Sequence, residues 1–135
     1  MLTDERRAEL RAQAKALRGA VLRKRYFVVL WTDDPQQSDD AFLEVLPEHF
    51  RHFGELEERG VMFGSGPLTP PDGSAETYEG MSVVRADSFE AARAIVEATP
   101  MVRHRLRSYE LFAWDMSVGS LSLRVALKSG KIALE

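Results

Sequence analysis

The sequence predicts an α+β domain in which one antiparallel sheet carries two helices on one face. Residues 26–115 alternate strand-like and helix-like segments in the order strand, helix, strand, strand, helix, strand, which is the βαββαβ pattern of a ferredoxin-like sandwich. The chain has 135 residues, 44% of them hydrophobic, enough for one domain with its own core. It contains no cysteine, which excludes thiol catalysis, Cys-bound zinc, iron–sulfur clusters and disulfides.

The first elements follow from capping and composition. Thr3 is a suitable N-cap for an amphipathic helix over residues 4–22, since its hydroxyl can accept a first-turn N–H. The thin apolar stripe of this helix favours packing on a protein surface over insertion in lipid. Tyr26–Thr32 is β-branched and aromatic throughout, which is typical of a strand buried on both faces. Pro35 ends that strand.

The next segment predicts helix in two pieces. Ser38 can begin the first piece. Pro47 interrupts the pattern and is best placed in the first turn of a second piece, Pro47–Arg59, because its missing N–H costs nothing there. Gly60 is a natural C-terminal cap.

The second half repeats the alternation. Strands are expected from residue 61 and over residues 78–86 and 106–115. Asp87 and Glu90 resemble a capping box at the start of a helix, and Pro100 stops that helix. Residues 121–127 alternate apolar and polar side chains, which predicts a further strand that turns at residues 128–131 into a second short one. Such a hairpin could fold back or cross onto another subunit.

The charge is unevenly distributed. Residues 1–25 hold eight basic and three acidic side chains, a net charge of +5, while residues 26–135 hold 10 basic and 18 acidic ones, a net charge of −8. Such asymmetry can indicate a nucleic-acid or membrane contact, or a helix that docks on an acidic protein surface. No apolar run approaches the ~20 residues that span a bilayer. Basic residues near the N-terminus interrupt any stretch that could be the hydrophobic region of a signal peptide. Basic and aromatic residues are not interleaved as in RNA-binding sheets. We therefore expect a cytoplasmic protein with no membrane and no nucleic-acid partner.

A sheet with both helices on one face leaves its other face bare and partly apolar. Large apolar faces are rarely left in water, so the pattern predicts a homodimer paired through the sheet faces. The organisation expected is an N-terminal helical extension over residues 1–24, a core domain over residues 25–115 and a C-terminal β extension over residues 116–135.

Histidines are the main candidates for chemistry. His49 shares a helical face with Phe50 and Phe53, so it points into the sandwich or toward a pocket, where its pKa can lie near neutrality. The alternative is a core histidine that donates to a backbone carbonyl. His49 and His52 form an i, i+3 pair, but no matching pair completes a metal site, and we expect neither metal nor cofactor. His104 lies in a basic stretch, either as a solvated loop residue or as part of an anion site.

The segment Gly64-Ser65-Gly66-Pro67 is the second candidate. Its glycines would let a ligand approach the backbone, and Ser65 would supply a hydroxyl. A bulged strand end is the structural alternative. The segment does not match a phosphate-binding loop or a dinucleotide fingerprint.

Several motifs carry a family resemblance. A P-x-H segment with Pro47 and His49 lies within residues 46–50, and a glycine ends residues 56–60. A strand that ends in a small residue followed by Gly-Pro then lies within residues 63–68. Together with the helix start at residues 87–92 and the step Thr99-Pro100, they resemble the YciI-like (YCII-related) family of the dimeric α/β barrel superfamily. The likeness covers about residues 24–115.

The resemblance implies a ferredoxin-like fold dimerised through its sheets, with one cleft per subunit. It also implies a His–Asp dyad that transfers protons, as in dehydrochlorinases and, more widely, muconolactone isomerases. His49 matches the histidine, but Thr99 stands where the aspartate is expected. A neutral hydroxyl cannot stabilise an imidazolium as a carboxylate does. Asp33, Asp34 and Glu97 are candidate substitutes.

Three functions are compatible with these residues. The first is a protein that binds a small molecule near His49, with possible cofactor-independent acid/base chemistry. The second is a lyase or isomerase with His49 as general acid/base, and the third is a non-catalytic dimeric accessory protein. In the second, Ser65 and Thr99 are polar residues that position the substrate. The candidate pocket residues are Trp31, Phe50, Phe63, Gly66, Pro67 and His104.

Overall fold

The computed structural model describes residues 1–20, 24–74 and 78–134. The helices are α1 (Asp4–Arg18), α2 (Asp39–Glu58), α3 (Phe89–Glu97) and α4 (Pro100–Arg103), and the strands are β1 (Lys24–Asp33), β2 (Met62–Pro67), β3 (Gly80–Val84), β4 (Arg107–Met116), β5 (Leu123–Val125) and β6 (Ile132–Leu134). One sheet has the order β2-β3-β1-β4, and β5 pairs with β6. The predicted α+β class and βαββαβ order are confirmed.

The chain divides into two compact units. The central unit is Arg25–Asp115, and the terminal unit combines Met1–Lys24 with Met116–Glu135. Within the terminal unit, β5 and β6 are antiparallel partners of one another. Their turn contains Gly130, whose φ of 68° lies in the left-handed region that glycine tolerates.

Strand pairing in the central unit fixes the sheet. β3 lies antiparallel between β1 and β2. At the other edge, Arg25 donates to Asp115 and Arg107 donates to Asp33. These two pairs join opposite ends of β1 and β4, so the two strands also run antiparallel.

The core lies between the sheet and its helices. Along β1, alternate side chains point to the helices: Phe27 packs with Ala92, while Val29 and Trp31 pack with Val96. Ala92 and Val96 come from α3, one helical turn apart, so α3 covers the middle of the sheet. A third cluster joins Val45, Met101 and Leu106 and fixes α2 against α4.

The prediction of a break at Pro47 is wrong. α2 is one helix of 20 residues with Pro47 inside it. Proline removes one backbone hydrogen bond and costs about 3 kcal/mol in a helix interior. Buried Val45 and Leu56, on either side of Pro47, hold both halves of α2 in the core, and this packing offsets that cost.

The helix ends agree with the sequence except in detail. Thr3 and Ser38 cap α1 and α2 as predicted. α3 is capped by Ser88, whose hydroxyl accepts from Ala91 N at 3.0 Å, rather than by Asp87. α1 ends at Arg18, before the predicted residue 22, because Gly19 adopts a φ of 59°; residues 21 and 22 lie outside the described residues. Gly60 takes a φ of 70° just after α2.

Candidate active site

A cavity of about 790 Å³ lies at one end of the central unit. Residues from α2, β2 and the ends of β1, β3 and β4 line it. Eight residues singled out in the sequence meet in its wall: Trp31, His49, Phe50, Phe63, Gly64, Ser65, Gly66 and Pro67. The topology brings α2 and the Gly-Ser-Gly-Pro segment together, since the two elements are consecutive and in contact.

Thr99 and His104 lie elsewhere. Neither belongs to the described lining of this cavity. The Thr99 side chain is buried and its hydroxyl donates to the carbonyl of Val96 at 2.6 Å. His104 Nε2 lies 3.2 Å from one carboxylate oxygen of Glu48, and the other oxygen of Glu48 accepts from Arg103. The polar groups of Thr99 and His104 therefore contact other residues of the protein, outside the described lining of this cavity.

His49 is held by aromatic rings. Its ring centroid lies 4.2 Å from that of Phe53 and 5.4 Å from that of Phe50. Its Nδ1 is buried, with no hydrogen-bond partner among the described residues. Burial lowers the pKa of His49 below its usual range, the electrostatic effects of Arg107 and His52 lower it further, and Asp33 opposes them. An imidazolium here would bury an N–H without an acceptor, so burial and the lowered pKa both favour the neutral form of His49 at pH 7.

Arg107 is a site residue that the sequence analysis missed. Its Nε donates to Asp33 Oδ1 at 2.5 Å, and its guanidinium lies 5.8 Å from the ring centroid of Trp31. The side chain is only 14% exposed. Asp33 is its hydrogen-bond acceptor among the described residues, whereas a guanidinium carries five N–H donors. Arg107 therefore keeps donors available in the cavity wall.

The cavity wall contains further residues that the sequence analysis does not assign to a pocket. Phe53, Glu57, Glu79 and Arg107 also line the cavity. The sequence places Phe53 on the same helical face as His49, but the spacing does not show that this face lines a cavity. For Arg107, the available signal is opposite charge at the ends of two predicted strands, with Asp33 after the first strand and Arg107 at the start of the last.

Ser65 belongs to a chain of polar contacts under the cavity. Ser65 Oγ lies 2.7 Å from Ser82 Oγ, and Trp31 Nε1 donates to that same Ser82 oxygen at 2.8 Å. Ser82 is fully buried and Trp31 is 4% exposed. Ser65 faces Ser82 because a register shift between Met62 and Gly64 reorients the strand. The chain fixes the Trp31 ring in the cavity wall.

Gly80 allows two strands to approach closely. A Cβ atom built on Gly80 would lie 2.7 Å from the carbonyl oxygen of Gly66. Any side chain at residue 80 would therefore push away the backbone of β2. Gly66 and Gly80 both line the cavity, so this close contact lies in its wall.

A second cavity of about 660 Å³ shares part of this wall. Glu79 and Arg107 line both cavities, and Asp33 lines the second. Within the described residues, no group of three or more His, Asp or Glu side chains could hold a metal ion. None of the described helices has the length and apolar content needed to cross a membrane.

Comparison with known proteins shows the fold and the family. No curated protein sequence matches the chain. Among solved structures, the chain is similar to 5-chloro-2-hydroxyhydroquinone dehydrochlorinase from Burkholderia phenoliruptrix AC1100, in complex with 2,5-dihydroxybenzoquinone. The TM-score is 0.53 at 16% sequence identity, covering 66% of this chain and 92% of the dehydrochlorinase. This likeness shows a shared fold. The YCII-related domain family matches residues 26–115, so the chain belongs to that family, as its motifs predicted.

Proposed function

We propose that the cavity binds a small, oxygen-bearing ring compound and that His49 accepts a proton from it, in a lyase or isomerase reaction that needs no cofactor. The observation that carries the proposal is the neutral His49 in an aromatic wall that also contains Arg107. A dehydrochlorination removes a proton and a chloride, and an isomerisation moves a proton between atoms. Both require a base that is unprotonated at working pH.

The walls suit a planar ring. Trp31, Phe50 and Phe53 offer aromatic surfaces for stacking. The donors of Arg107 suit a carbonyl, phenolate or carboxylate oxygen, and a charged hydrogen bond of this kind contributes about 1.5–3 kcal/mol. The structural neighbour binds a dihydroxybenzoquinone, which combines a small ring with such oxygens.

A second candidate is binding without catalysis. It is favoured by Thr99, which stands at the position of the family aspartate and donates its hydroxyl to Val96. It is also favoured by His49 Nδ1, which lacks a hydrogen-bond acceptor among the described residues. A catalytic histidine is usually oriented by such a partner.

Dimerisation through the sheet is part of the proposal. On the sheet face opposite α2 and α3, Phe63, Met81, Phe112 and Trp114 are exposed. We expect a second copy to cover this apolar face. Light scattering that gives a monomer mass at micromolar concentration would contradict the dimer. The cytoplasmic location stays a prediction.

The binding test uses 2,5-dihydroxybenzoquinone as the probe. In NMR titrations of the imidazole C–H signals, we expect the probe to shift His49 and leave His104 unchanged. We expect Arg107→Gln to weaken the Kd about 10- to 100-fold, from the loss of a charged hydrogen bond. Arg103→Gln is the matched control, because Arg103 pairs with Glu48 outside the cavity lining. An unmoved His49 signal, with equal Kd values for both variants, would refute the site.

Proton transfer is tested separately. The ring hydrogens of the probe exchange with deuterium in D2O, and a bound base accelerates this exchange. We expect the wild-type protein to accelerate it and His49→Gln to lose the acceleration while still binding the probe. Binding by the wild-type protein without any acceleration of exchange would select the non-catalytic candidate.

A further inference from the structure

The terminal unit carries the opposite charge to the central unit. Residues 1–24 and 116–135 hold ten basic and four acidic side chains, a net charge of +6. Residues 25–115 hold eight basic and 17 acidic side chains, a net charge of −9. Such opposite charges attract and orient two surfaces before contact.

The terminal unit also exposes apolar side chains. Helix α1 has no buried residue, and Leu17 is 89% exposed. An isolated helix of 15 residues is marginal in water, and so is an isolated two-stranded hairpin. The hairpin and the segment before it expose seven large apolar side chains: Val118, Leu121, Leu123, Val125, Leu127, Ile132 and Leu134. Burying them against a partner would stabilise both elements.

Helix α2 of the central unit has a matching surface. Leu43, Pro47, Phe50 and Gly54 are exposed at spacings of four, three and four residues, which places them on one face. Leu43 is 60% and Phe50 66% exposed. We call this face the α2 stripe. Four exposed carboxylates flank its two ends: Asp39, Asp40, Glu57 and Glu58.

We infer that the terminal unit of one copy binds the α2 stripe of a second copy. The stripe offers exposed apolar groups within an acidic border, and the terminal unit offers exposed apolar groups within a basic unit. A second copy is therefore a partner whose charge and apolar surface both fit. The sheet face with Phe112 and Trp114 lies on the other side of the sheet from α2, so this contact and sheet pairing do not compete.

The inferred contact has a consequence for the cavities. Phe50 lines the cavity of His49, and Leu43 lines the second cavity. A terminal unit on the α2 stripe therefore lies over side chains of both walls. Association would restrict access to both cavities, whatever ligand they bind.

Cross-linking tests the partner. Chains with natural nitrogen and with 15N are unfolded together, refolded as an equal mixture and treated with a carbodiimide, which joins lysines to carboxylates in direct contact. We expect links from Lys15, Lys128 or Lys131 to the acidic residues of α2, and half of these links should join chains of different isotope. Links confined to chains of the same isotope would show contact within one chain and would overturn the inference.

Charge reversal tests the surfaces, with self-association measured by sedimentation. Arg11→Glu with Lys15→Glu reverses two charges on α1 of the terminal unit, and Glu57→Lys with Glu58→Lys reverses two charges at one end of the stripe. We expect each pair to weaken self-association at least tenfold, and an equal mixture of the two variants to restore it, because both contacts are then again between opposite charges.

The control makes the same charge change elsewhere on α2. Glu44 and Glu55 are exposed and lie about 90° and about 110° around the helix from the mean direction of the stripe, so Glu44→Lys with Glu55→Lys should weaken association less. Equal losses in the control and the stripe variant, or no recovery on mixing, would also overturn the inference. Circular dichroism checks that each variant is folded.

Discussion

Replacing Ser82 with alanine removes only one oxygen atom, but we expect it to destabilise the protein more than this small loss of side-chain volume suggests. Ser82 Oγ is the atom on which two contacts meet, one from Trp31 Nε1 at 2.8 Å and one with Ser65 Oγ at 2.7 Å. Ser82 is fully buried and Trp31 is 4% exposed. In Ser82→Ala the indole N–H loses its acceptor, and water has little access to replace it.

The magnitude follows from what each partner loses. An unsatisfied buried donor costs about 1–3 kcal/mol, so we expect a loss of about 2 kcal/mol from the free energy of unfolding. Ser65→Ala should cost only about 0.5–1 kcal/mol, because Ser65 is exposed and Ser82 keeps the bond from Trp31. For a domain of roughly 100 residues, each kcal/mol corresponds to about 4–8 °C in Tm.

Urea denaturation followed by circular dichroism measures the difference, since fluorescence would report the altered surroundings of Trp31. The double variant Trp31→Phe/Ser82→Ala removes donor and acceptor together and should be less destabilised than the sum of its single variants by about 1–2 kcal/mol. If Ser82→Ala costs no more than Ser65→Ala, the unpaired indole is not the source of the loss and the reasoning fails.

Three further predictions concern the same cavity. Gly80→Ala should lower Tm and weaken probe binding, because its Cβ would lie 2.7 Å from Gly66 O; an unchanged Tm would show that β2 moves freely. Arg107→Gln should raise the pKa of His49 and Asp33→Asn should lower it further, since their charges act on it in those directions; NMR titration with the opposite order would contradict this. The lowered pKa of His49 means that the unfolded chain binds more protons below about pH 6.5, so stability should fall as the pH drops from about 7. His49→Gln should reduce that slope, measured as Tm against pH.

Much of the fold was predictable because local chemistry determines it. The β-branched run of β1 and the hydroxyl caps at Thr3 and Ser38 act within a few residues, so the sequence displays them directly. Pro47 shows the limit of such reasoning. Its local cost is certain, but the core contacts that offset it come from residues distant in sequence.

The candidate site was predictable in part for the same reason. His49 and Ser65 could be singled out by residue type and position, and the cavity brings them together. The pairing of Asp33 with Arg107 joins residues 74 positions apart, which depends on how β4 pairs with β1. Thr99 could be aligned with the family aspartate, but its bond to Val96 is not visible in a motif.

The charges around His49 indicate which protons it could accept. The carboxylate that acts on it, Asp33, is paired with Arg107, and the field of Arg107 on His49 is the stronger of the two. The ion pair therefore disfavours imidazolium, where a His–Asp dyad would favour it. A base with a lowered pKa is weak, so it can remove only a proton that is already acidic. Ring hydroxyls and carbons beside a carbonyl carry such protons, and an Arg107 donor on the developing oxyanion would make them more acidic still. Under the proposed function, the ion pair of Asp33 with Arg107 therefore limits the substrates of His49 to oxygenated rings of this kind.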